Sequence, residues 1–99
     1  MVETIRWSPT AEASFHQVVA YLRANWSERD ARNFVRKTDS TIRMLRLFPG
    51  MSRRGKKGTR EALVTKHNLM CFRIKGNELQ IVGFWDTRQH PGKRRITEV

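Results

Sequence analysis

The stretch Leu69-Met70-Cys71-Phe72-Arg73-Ile74-Lys75-Gly76-Asn77-Glu78-Leu79-Gln80-Ile81-Val82-Gly83-Phe84-Trp85-Asp86 decides how this chain folds. At its centre, Gly76 and Asn77 both tolerate the positive φ that a two-residue hairpin turn requires. A turn there fixes a register: Lys75 opposite Glu78, Ile74 opposite Leu79, Arg73 opposite Gln80, Phe72 opposite Ile81, Cys71 opposite Val82 and Met70 opposite Gly83. Side chains alternate between the faces of a strand. One face therefore reads Met70, Phe72, Ile74, Leu79, Ile81 and Gly83, with no polar side chain. The other runs from Lys75/Glu78 and Arg73/Gln80 to Cys71/Val82 and Leu69/Phe84. Such alternation predicts an antiparallel sheet covered by helices on one side only.

The covering helices lie upstream. Residues 2–7 alternate around Val2, Ile5 and Trp7 as a short strand, and Ser8-Pro9 then opens a helix. Serine can cap orphan N–H groups, and proline in the first turn forfeits no hydrogen bond. Ala11, Phe15, Val18, Leu22 and Trp26 recur at steps of three and four, one face of an amphipathic helix. A second start at Ser27-Glu28-Arg29-Asp30 leads into Ala31, Phe34, Val35, Thr38, Ile42 and Leu45, and Pro49-Gly50 closes it. Two helices joined almost without a loop fold back as a hairpin. Met51 to Thr59 is a charged loop carrying Arg53, Arg54, Lys56 and Lys57, after which a strand is expected over 60–66, with a turn at His67-Asn68. Trp7, Trp26 and Trp85 all fall on inward-facing positions of this scheme. The order is β-α-α-β-β-β: an α+β fold, one domain over residues 1–99, with a helical hairpin on one face of a small antiparallel sheet.

Composition narrows the function. The chain has 99 residues, enough for one core, and its 38% hydrophobic content predicts a packed domain rather than a disordered chain. It carries 20 Lys and Arg against 9 Asp and Glu, a formal charge of +11. Residues 51–99 hold 12 of the basic and 4 of the acidic side chains, so the C-terminal half supplies most of the excess. A localised basic surface attracts polyanions or acidic proteins. Cys71 is the only cysteine and sits in an apolar stretch, as a buried structural thiol would. His16, His67 and His90 are dispersed, so neither a metal nor a cofactor is expected. With no signal-peptide pattern and no apolar run of membrane-spanning length, a cytoplasmic protein is expected.

The second face of the sheet is the feature most suggestive of a partner. Leu69, Cys71, Val82 and Phe84 make an apolar patch there beside Arg73 and Gln80. Such a patch on a basic domain suits an acidic, amphipathic partner segment, unless residues 87–99 fold back over it.

These stretches also resemble a known family. Trp7-Ser8-Pro9 with Ala11 looks like the strand-to-helix opening of RelE/ParE-type toxins. Leu63-Val64 followed by His67-Asn68-Leu69-Met70-Cys71-Phe72-Arg73-Ile74 resembles their central strands. Ile81-Val82-Gly83-Phe84-Trp85-Asp86-Thr87-Arg88-Gln89-His90-Pro91 is similar to their last strand and its Asp-x-Arg-x-x-Pro exit. The resemblance implies the toxin of a type II toxin–antitoxin module, neutralised by a cognate antitoxin and meeting operator DNA only through it. The antitoxin would take Leu69, Cys71, Arg73, Val82 and Phe84. The target would meet Arg53, Arg54, Lys56, Lys57, Arg88, Lys93, Arg94 and Arg95.

Members of the family differ in target. RelE-like toxins cleave mRNA on the ribosome, and ParE-like toxins inhibit DNA gyrase. A metal-free ribonuclease needs groups that activate the 2′-hydroxyl, stabilise the phosphorane and protonate the leaving oxygen. Arg88 matches a basic position of the nuclease branch, and His90 could act as acid or base. Leu69, however, stands where that branch carries an arginine, and the one tyrosine, Tyr21, lies in the first helix. These departures favour the ParE-like branch, an inhibitor with no chemistry of its own. A non-toxic basic module that stacks unpaired bases is a third reading, with Phe84 the one aromatic on the open face.

Overall fold

The computed structural model describes residues 2–87. Its elements are β1 (Thr4–Trp7), α1 (Pro9–Asn25), α2 (Glu28–Leu47), β2 (Arg53–Arg54), β3 (Arg60–Thr65), β4 (Asn68–Lys75) and β5 (Glu78–Asp86). Ser8 caps α1 by accepting from the Ala11 N–H, and Ser27 caps α2 by accepting from the Asp30 N–H. Only Trp26 and Ser27 separate the helices, which pack against each other as the hairpin their spacing predicted.

The sheet order is β1-β5-β4-β3-β2. β2 to β5 run antiparallel to their neighbours, but β1 lies parallel to β5, so the sheet is mixed. This corrects the all-antiparallel expectation: a four-residue strand carries no mark of its direction. The two-residue β2 adds a fifth strand inside what the sequence presents as loop. The turn before β4 falls on Lys66-His67, one residue earlier than expected, because the β3–β4 register shifts between Leu63 and Thr65.

The β4–β5 hairpin keeps the expected pairs from Lys75–Glu78 through Phe72–Ile81 and then departs from them. Cys71 faces Gly83, Met70 faces Phe84 and Leu69 faces Trp85, so Val82 is the extra residue of a β-bulge. One inserted residue reverses the parity of everything beyond it. Phe84 therefore turns toward the helices and Trp85 away, the reverse of the sequence-based assignment.

An aromatic cluster rewards that reversal. Phe84 stacks on Trp7 with centroids 5.5 Å apart and meets Phe15 and Phe34 edge-on at 5.4 and 6.0 Å. Four rings from β1, α1, α2 and β5 are thereby joined, each contact worth about 0.5–1.5 kcal/mol beyond its buried area. Phe72, Leu79, Ile81, Met70 and Leu45 complete the core at 0% exposure. Trp26 is not part of it. It caps the C-terminus of α1 and stands 58% exposed, because the helix ends before another turn can carry it inward. Val35 is also exposed, on the flank of the α2 stripe.

Candidate functional site

β5 outruns β1, and two serines finish its edge. The Ser8 N–H donates to the Ile81 carbonyl, its hydroxyl donates to the Val82 carbonyl at 3.0 Å, and the Phe84 N–H donates to Ser14 Oγ at 3.0 Å. The bulge is thus held from α1, and with it the second face of the sheet.

That face holds a small apolar cluster of Leu69, Cys71 and Trp85, with Val82 packed beside it. Leu69, Cys71 and Trp85 are 1%, 3% and 5% exposed, so the patch is not open to solvent. The Trp85 six-membered ring lies over Gly83, where a Cβ would overlap it. Of the five residues expected to meet an antitoxin, Phe84 belongs to the helix-covered core. Leu69 and Cys71 are buried on the second face, Val82 is half-buried, and Arg73 is exposed.

The basic surface is more accessible. Arg53, Arg54, Lys56 and Lys57 are all exposed, on β2 and the loop that joins it to β3. The loop is closed by its own backbone. The Gly55 N–H donates to the Thr59 carbonyl at 2.8 Å, and the Thr59 hydroxyl donates to the Lys56 carbonyl at 2.6 Å. Lys57 takes a positive φ of 54° at the tip. Behind the loop, Arg60 Nε donates to Ser52 Oγ at 2.7 Å, and Arg53 pairs with the mostly buried Glu61 at 3.4 Å. The sequence reading passed over Ser52, Arg60 and Glu61. Only their strand pairing, Arg53 with Glu61 and Arg54 with Arg60, brings them to the loop. A hollow of about 550 Å³ lies between Pro49-Gly50, this loop and Ile74, with Arg54 and Arg60 on its wall. Such a fixed, cation-bearing loop can hold an anionic surface but supplies no acid–base pair.

Arg88, His90, Lys93, Arg94 and Arg95 lie outside the described residues. Tyr21, on α1, lines a cleft at the β5 edge with Gln17 and Asp86. Among the described residues no three His, Cys, Asp or Glu side chains come together as a metal site, and no helix is long and apolar enough to cross a membrane.

The family model for the ParE toxin of type II toxin–antitoxin (parDE) systems matches residues 5–91. The chain belongs to the ParE toxin family. Its fold is shared with the chromosomal ParDE system of P. aeruginosa, at 19% identity and a TM-score of 0.72 over 86% of this chain and 96% of that one. A YoeB/ParE toxin from Agrobacterium tumefaciens follows at 14% identity and TM-score 0.63, covering 85% and 98%. The YoeB toxin of Staphylococcus aureus, in its heterotetrameric complex with the antitoxin YefM, gives 13% and 0.56, covering 90% and 99%. No curated protein matches the chain in sequence. These likenesses establish for this ParE-family chain the helical hairpin on a mixed five-stranded sheet.

Proposed function

We propose that this chain is the active toxin of its module, a cytoplasmic protein held inactive by a cognate antitoxin, and that it inhibits DNA gyrase without chemistry of its own. Leu69 carries the choice of target. Where the nuclease branch of the superfamily places an arginine on the central strand, this chain has a leucine 1% exposed in an apolar cluster with Cys71 and Trp85. A cation there would need about several kcal/mol of desolvation to be offset, so the site is built for packing. The target is met by Arg53, Arg54, Lys56 and Lys57, joined by Arg88, Lys93, Arg94 and Arg95 of the C-terminal segment. The antitoxin is met by Arg73 and Val82, with Leu69, Cys71 and Phe84 shaping the strands beneath them. Operator DNA is reached only through the antitoxin.

The mRNA-cleaving alternative would recruit Arg88 and His90. Induced expression followed by a supercoiling assay with purified gyrase separates the two. Growth arrest with blocked supercoiling and intact total mRNA is the expected result. Unimpeded gyrase together with cuts in translated mRNA would overturn the gyrase assignment.

A further inference from the structure

A cleft of about 470 Å³ opens where the joint between α1 and α2 faces the β3–β4 turn. Its volume lies within the range of small-molecule sites, about 300–1,000 Å³. Trp26 stands at its mouth, 58% exposed, whereas Trp85 is buried and Trp7 is stacked on Phe84.

The cations come from two separate elements. Lys37 projects from α2, and Lys66 belongs to the turn. The turn is anchored: the Thr87 N–H donates to the His67 carbonyl at 2.8 Å and the Thr87 hydroxyl donates to the Lys66 carbonyl at 3.1 Å. Lys66 is therefore presented from a fixed backbone. Asn33 and Asn68 bring amide groups to the same cleft, and the Thr65 hydroxyl donates to Asn68 Oδ1 at 2.7 Å. The carboxylate in the lining, Asp30, accepts from the Ser27 hydroxyl over the first turn of α2.

We propose that this cleft binds the base and phosphate of a nucleotide, with Trp26 stacking on the base and Lys37 and Lys66 meeting the phosphate. Stacking on an aromatic ring tolerates any base, and lysine ammonium groups act as point charges toward phosphate. An acidic amphipathic helix would need a run of apolar sockets. The lining offers only Leu22, Trp26 and the fully buried Phe34. The same chemistry is carried by a free nucleotide and by one within a single strand.

The test is anisotropy of a short fluorescein-labelled oligo(dA) titrated with the full chain, with AMP as competitor. Saturable binding is expected. Displacement by AMP assigns a free nucleotide as sufficient, and failure of AMP to compete assigns the strand. Trp26→Ala should weaken binding about 5- to 150-fold, the range for loss of one stacked base, while Trp26→Phe retains most of it. Lys37→Gln with Lys66→Gln should lower the slope of log K against log salt by about 1.4, at roughly 0.7 per single-strand phosphate. Trp26 is exposed, so an unchanged circular dichroism spectrum certifies the variants. Native affinity in folded Trp26→Ala, or no saturable binding to oligo(dA) or AMP, overturns the proposal.

Discussion

Ser14 shows how much one hydroxyl can carry. It is 5% exposed on α1, donates to the Thr10 carbonyl at 2.7 Å and accepts from the Phe84 N–H, which β1 is too short to reach. Ser14→Ala removes the acceptor and leaves a buried N–H unsatisfied. The expected cost is about 1–3 kcal/mol, read as a lower urea midpoint with unchanged slope. A midpoint within error of native would mean that water reaches the β5 edge. Ser14 was not legible in the sequence, because the helical stripe through Ala11, Phe15 and Val18 passes beside it. Ser8 was, since a serine before a proline announces a helix start. Trp26 misled for a related reason: it continues the step of four from Leu22, but periodicity says nothing about where the helix stops.

Among the elements, the hairpin was readable as far as its turn controlled it. Gly76 takes a φ of 60°, as the turn chemistry required, and the four pairs nearest it hold. Beyond Ile81 the sequence Val82-Gly83-Phe84-Trp85 satisfies either parity, since both orders put an aromatic ring on each face. The bulge is decided by the aromatic cluster, which is tertiary and leaves no local mark. The helical hairpin carries its own electrostatic signature. The Glu28 carboxyl is held below the usual carboxylate range, first by its hydrogen bond from Arg23, against an opposing effect of desolvation and with a lesser contribution from Arg32. A depressed folded-state pKa contributes stability that is present above the unfolded value and lost as pH falls through the folded one. Arg23→Gln should therefore raise the Glu28 midpoint in a carboxyl NMR titration. The stability gap between variant and native protein should also close as the pH drops below the carboxylate range. An unmoved midpoint would show that the pair is not formed in solution.

Over the whole molecule, charge and packing are separable. The excess of Lys and Arg over Asp and Glu was plain from composition, and so was the exposure of so charged a stretch as Arg53, Arg54, Lys56 and Lys57. The burial of Leu69 and Cys71 and the turn of Phe84 into the helix-covered core were not, because both depend on the bulge and on packing between distant elements. Arg54→Gln with Lys56→Gln and Lys57→Gln should abolish growth arrest while moving stability by no more than about 0.5 kcal/mol per site, as expected of exposed positions. Full toxicity in that variant would shift the target surface to the residues after Thr87.

The parallel pairing of β1 with β5 also sets an order of events during synthesis. Thr4 lies beside Glu78 and Trp7 beside Ile81, and α1 packs on the same last strand. β1 thus waits for β5, and contacts of such long sequence separation form slowly. A nascent chain that has not yet released residues 78–86 has nowhere to dock its opening strand and first helix. Translation therefore yields no assembled sheet until β5 is free, and a partner that recognises the assembled fold has nothing to hold before then.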